Sequence, residues 1–105
     1  VTTHPSVTSL LSKVRPRRRI EHTLPDGKRR VVELTTSGLV RASTLVDGVD
    51  RMRGGISPRS AHYGAIAIAT VAERYRGERG FGSRRRILMQ LALALEAVAK
   101  AADAS

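Results

Sequence analysis

Apolar positions recur along this chain at two spacings. Val7, Leu10, Leu11 and Val14 fall at i, i+3, i+4 and i+7, one face of a helix. Ser6 is its N-cap and Pro16 stops it. Residues 17–24 and 28–36 read as strands joined by "LPDGK", where Pro25 presets φ, Asp26 caps and Gly27 takes the left-handed position. A three-residue loop sets Leu24 opposite Lys28, His22 opposite Arg30, Ile20 opposite Val32, and Arg19 opposite Glu33 as a favourable charge pair. Residues 37–52 place Leu39, Ala42, Leu45, Val46, Val49 and Met52 on one stripe, with Arg41, Thr44, Asp47 and Arg51 opposite. That pattern predicts an amphipathic helix, closed by Gly54 and Gly55. A second helix opens with Ser57 as N-cap and Pro58 at its first position. Its small-residue run "GAIAIA" predicts burial with a neighbouring backbone close by. "RGERGFG" is a flexible joint, with Phe81 filling a gap beside the core. Ser83 then starts a last helix with Ile87, Leu88, Leu91, Leu95 and Val98 on its main stripe, widened by Met89 and Leu93.

These elements sum to one domain over residues 1–105. A short helix or arm occupies 1–16, a ribbon or hairpin plus two helices 17–82, and a C-terminal helix 83–105. The fold class expected is mainly α with a short two-stranded β element. Aromatic residues are 3 % of the chain and much of the apolar content is alanine and valine, so the core is thin. The wide stripe of the last helix exceeds what one neighbour covers. Both features predict a homodimer that shares its core.

Charge is the strongest signal in the composition. Nineteen Lys and Arg oppose nine Asp and Glu, a formal net charge of +10, and sixteen of the nineteen are arginine. Arginine is the better fork for phosphate and for guanine edges. Residues 13–30 hold eight basic and two acidic side chains; residues 74–86 hold six and one. Two basic patches on an otherwise nearly balanced chain predict a polyanionic partner.

The order strand, helix, glycine-containing turn, helix across residues 29–75 resembles the ribbon-helix-helix family of DNA-binding dimers. The residues that carry it are "RRVVELT" for the ribbon, "SGLVRASTLVDGVDRM" for the first helix, "RGGISPRS" for the turn and "AHYGAIAIATVAERYR" for the second helix. The resemblance implies an intertwined homodimer whose two-stranded ribbon enters the major groove. It also implies that the start of the second helix holds phosphate, through Ser57, Arg59 and Ser60. Within the chain, the "PDG" turn offers residues 28–36 a different partner, residues 17–24. Pairing within the chain and pairing between subunits both stay open.

The function expected is sequence-selective, non-enzymatic binding of duplex DNA; the resemblance implies a protein of the kind used as small repressors and as plasmid- or phage-partition and relaxosome accessory proteins. The alternative is a structural RNA or nucleic-acid assembly protein without base specificity. The candidate contacts are Arg17, Arg18, Arg19, Lys28, Arg29 and Arg30 on the β element, Ser57, Arg59 and Ser60, and Arg84, Arg85 and Arg86. The last three crowd the positive end of a helix dipole, an arrangement relieved by an anion. The last helix is also a candidate site for a protein partner. With no cysteine and with His4, His22 and His62 at no ligand spacing, no metal or cofactor is expected. There is no G-x-S-x-G elbow, and "GERGFG" has the wrong spacing for a phosphate loop. No apolar run reaches the roughly 18 residues of a membrane span, and the first residues lack a signal-peptide pattern. A cytoplasmic, nucleoid-associated protein is therefore expected.

Overall fold

The computed structural model describes residues 5–46, 49–50 and 54–104. The first helix, α1 (Pro5–Ser12), buries Val7 and Leu11, two of the positions its periodicity marks. Strands β1 (Arg19–Thr23) and β2 (Arg29–Leu34) form an antiparallel hairpin within the chain. Its register sets Arg19 opposite Glu33, Ile20 opposite Val32 and His22 opposite Arg30. The turn closes with Leu24 N–H donating to Lys28 O at 2.7 Å and Gly27 N–H to Leu24 O at 2.9 Å. Asp26 Oδ1 accepts from Lys28 N–H, and Gly27 sits at φ +85°, where glycine is at ease.

Residues 40–46 depart from the expectation. The helix predicted over 37–52 is replaced by strand β3 (Val40–Val46), paired antiparallel with β2 from Val40 to Leu45. The part of that prediction falling on residues 47–48 and 51–53 lies outside the described residues. A second tight turn, Thr35–Leu39, makes the connection. Thr35 N–H donates to Leu39 O, Thr35 Oγ1 accepts from Leu39 N–H, and Gly38 has φ +84°. The free edge of β2 needs backbone partners, and β3 supplies them. Its residues also alternate: Val40 and Ala42 face the core while Arg41 and Ser43 face away. A two-residue strand, β4 (Val49–Asp50), pairs with the end of β3, and Ile56 bridges Val40 at its start. Gly55 passes so close to β3 that a Cβ there would meet Leu39 Cβ at 2.9 Å. The strand–helix–turn–helix order of the resemblance is thus absent at its first helix.

Two long helices complete an α+β fold. In α2 (Pro58–Arg74), Ser57 is the N-cap and accepts from Ser60 N–H, with Pro58 opening the helix. Ala61, Ala65, Ala69 and Ala72 lie fully buried along one stripe, so the neighbouring backbone comes near. Helix α3 (Gly82–Asp103) starts one residue before the expected Ser83, with Phe81 at the cap position and no side-chain cap bond. It lies between α2 and the sheet. Ile20, Val32, Leu34, Val40 and Ala42 of the sheet pack into one cluster with Ala94, Leu95 and Val98 of α3 and with Ala61, Ala65 and Ala69 of α2. The apolar width of α3 that predicts a partner chain is covered largely inside the chain, by the sheet on one side and α2 on the other. Lys100 ties α1 to this unit: its Nζ donates to Leu11 O, Ser12 O and Val14 O, carbonyls at and just beyond the end of α1.

Candidate nucleic-acid interface

With every second residue of a strand on the same side, one face of the sheet meets the helices and the other does not. The register builds the outer face in rows. Arg19, Glu33 and Arg41 form the first, Glu21, Val31 and Ser43 the second, and Thr23, Arg29 and Leu45 the third. Val31 and Ser43, at the centre, are buried. The charged side chains around them are joined in a ladder. Arg29 Nη1 donates to Glu21 Oε1 at 2.9 Å and Arg19 Nη2 to Glu21 Oε2 at 3.3 Å. Arg41 stands 3.5 Å and Arg19 4.0 Å from Glu33. Arg19 and Arg29 keep 57 % and 52 % of their side-chain surface in solvent. Pairs so exposed contribute little to stability, and their guanidinium groups can exchange partners at small cost.

The predicted contacts do not gather on one surface. Arg19 and Arg29 are on the outer face. Arg30, next in sequence, is half-buried on the inner face between His22 and Thr44. Arg17 and Arg18 are exposed in the strap before β1, where Arg17 N–H donates to Ala97 O and Arg18 O accepts from Leu34 N–H. Lys28 pairs with Asp26 across the turn at 3.6 Å. Ser57 and Ser60 bond each other at the head of α2, and Arg59 lies over the Tyr63 ring at 5.8 Å.

The three arginines of α3 have three different settings. Arg84 lies over Phe81, which is itself stacked on Tyr75 with centroids 4.8 Å apart. Arg85 donates from Nη2 to Glu73 Oε1 at 3.1 Å, while its Nε is buried with no partner among the described residues. Arg76 grips the same carboxylate twice, at 2.7 and 3.0 Å. Glu73 is only 5 % exposed. The hydrogen bond from Arg76 lowers its pKa most, burial opposes the shift, and Arg85 adds to it; Arg76 is raised in return. Arg85 is therefore held in the fold. Arg86 is exposed.

Two features escape the sequence reading. Arg41 joins Arg19 and Arg29 on the outer face, and alternation after "TTSG" is the signal that marks it. His62 Nδ1 contacts both oxygens of the buried Glu96, at 3.0 and 2.7 Å, where α2 meets α3. The two residues lie 34 positions apart, and nothing local links them. Among the described residues, no group of three or more histidine, aspartate or glutamate side chains is placed to hold a metal ion.

A comparison with protein-family models, with curated proteins and with solved structures finds no match to this chain. No helix among the described residues is long and apolar enough to cross a membrane.

Proposed function

We propose that the protein binds duplex DNA, with the outer face of the sheet as its reading surface. The observation that carries this is the set Arg19, Arg29 and Arg41, one from each of β1, β2 and β3, on the sheet face turned away from α3. Strands of this kind fit the major groove. There arginine bonds guanine O6 and N7 together, and a glutamate accepts from the cytosine amino group. Arg18 and Lys28, at opposite ends of the hairpin, suit flanking phosphates. The reading keeps the groove-entering β element of the ribbon-helix-helix resemblance without its first helix. Two copies on a palindromic site belong to the same reading. The exposed Tyr63 and Val71 of α2 are apolar surface available to join them.

The test selects a preferred site from a random duplex pool. Wild type and Arg29→Ala are then titrated on that site, on a scrambled duplex and on a structured RNA. Arg29→Ala is expected to lose about 1–3 kcal/mol on the preferred site and much less on the scrambled one. A dimer neutralising about 6–8 phosphates gives a log K against log[salt] slope near −5 to −7. Equal losses on both duplexes, or preference for the RNA, would establish the alternative, a nucleic-acid binder without base specificity.

A further inference from the structure

Three cavities lie along one side of α3, and they share walls. The first, about 440 Å³, opens at the α2–α3 joint beside Tyr75, Arg76, Arg85 and Met89. The second, about 230 Å³, lies between the head of α3 and the β1–β2 turn, against Leu24, Pro25 and Ile87. The third, about 310 Å³, runs along β1 beside Arg15, Arg17, Ile20 and Ala97. Gln90 lines all three, Arg86 the first two, and Leu93 the first and third. Together they make one groove with α3 as one wall; β1 and its turn form the other wall along the second and third cavities, and the α2–α3 joint closes it at the first.

The groove has an apolar middle and basic ends. Ile20, Leu93, Ala94 and Ala97 supply the middle. Arg15 and Arg17 stand at one end; Arg76, Arg85 and Arg86 stand at the other, with Glu78 the only carboxylate in the lining. Arg15, Arg17 and Arg86 make no ion pair with any described residue. The wall formed by β1 has backbone to offer. Leu34 N–H bonds Arg18 O and Leu24 N–H bonds Lys28 O, so the even-numbered residues of β1 bond to β2. The N–H and C=O groups of Arg19, Glu21 and Thr23 therefore point outward along the free edge.

We infer that this groove binds a short extended segment of a partner protein, apolar at its centre and acidic at both ends, which adds as a strand to β1. Main-chain bonds to an edge strand supply affinity and the side-chain pockets supply selectivity. The dimensions agree. From Arg86 to Ala97, α3 advances about 16 Å at about 1.5 Å per residue. That length holds about five extended residues at about 3.3 Å each, the length of β1. The apolar floor and the backbone edge favour a peptide strand over a nucleic-acid strand, whose bases would need open aromatic faces. The groove is separate from the outer sheet face and does not depend on the DNA reading.

The probe is a fluorescein-labelled peptide, Glu-Glu-Val-Thr-Val-Thr-Val-Glu-Glu, titrated by anisotropy. A copy with lysine for glutamate and a labelled ten-residue oligothymidylate are the comparisons. Saturable binding of the acidic peptide is expected, with the lysine copy at least ten-fold weaker. Amide exchange at Arg19, Glu21 and Thr23 should slow when the peptide is bound. Thr23→Pro removes one outward N–H without touching the β1–β2 bonds and should weaken binding about ten-fold. Arg17→Glu with Arg86→Glu, both exposed, should abolish it. Circular dichroism and the thermal midpoint establish that each variant is folded. The inference is overturned if the three amides exchange unchanged, if folded Thr23→Pro binds as wild type does, or if the oligothymidylate binds the groove more tightly than the peptide. None of these outcomes alters the duplex titrations.

Discussion

The outer sheet face and the α2–α3 joint are both built from arginine and glutamate, and they do different work. On the sheet, Glu21 and Glu33 are shared among Arg19, Arg29 and Arg41, with the carboxylates about a third exposed and the arginines more open at the β1 side. At the joint, Glu73 is 5 % exposed and is held by Arg76 and Arg85. Solvent screens the first ladder, so the exposed Arg19 and Arg29 guanidinium groups are available to another anion. In the second, Glu73 and Arg85 are sheltered from water while Arg76 stays exposed, and taking away Glu73 strands Arg85. An arginine count therefore overstates the binding surface, because burial decides which arginines are struts.

The largest effect expected from this contrast is on stability. Glu73→Ala strips its carboxylate from half-buried Arg85, whose Nε already has no partner among the described residues, and should cost about 2 kcal/mol in urea unfolding. Glu21→Ala or Glu33→Ala should each cost less than about 0.5 kcal/mol. Equal costs would break the distinction between the two networks.

A smaller effect is expected on binding. Glu21→Gln with Glu33→Gln removes two negative charges from the proposed reading face and frees its arginines. Affinity for a scrambled duplex should rise by about 1 kcal/mol, with little change in unfolding. Unchanged or weaker binding in gel-shift titrations would place the DNA surface elsewhere on the molecule.

The smallest effect is on acid stability. The Glu73 carboxyl is held below its ordinary value by Arg76 and then Arg85. A group depressed in the folded state stabilises the fold above the ordinary carboxylate range and loses that contribution as pH falls through its folded pKa. Wild type should therefore lose more unfolding free energy between neutral and strongly acidic pH than Glu73→Gln does. Identical acid limbs for the two proteins would show that the joint draws no stability from the ionised carboxylate.

Local chemistry made part of this molecule legible. The Pro25-Asp26-Gly27 turn, with alternating residues on both sides, specifies the hairpin and its register, because turn geometry leaves few ways to align two strands. Ser57 followed by Pro58 marks the head of α2 within its own turn of chain. The alanine stripe of α2 signals a close neighbour before the neighbour is known. β3 was not legible in the same way. Residues 37–52 satisfy a helical period over their apolar positions, and a strand period appears only from Val40 to Ser43.

The hairpin, the two long helices and the strongly positive charge follow from the chain alone, since each rests on neighbours in the chain or on composition. The tertiary structure alone decided that residues 40–46 are a strand. The edge of β2 offered a row of unpaired backbone groups whose satisfaction outweighed a weak helical preference. It also decided which arginines stand free, because Arg85 became a strut only when α3 folded back against Glu73, twelve residues earlier. Charge can be counted along a chain, but desolvation depends on what else packs nearby, and that is settled only in three dimensions.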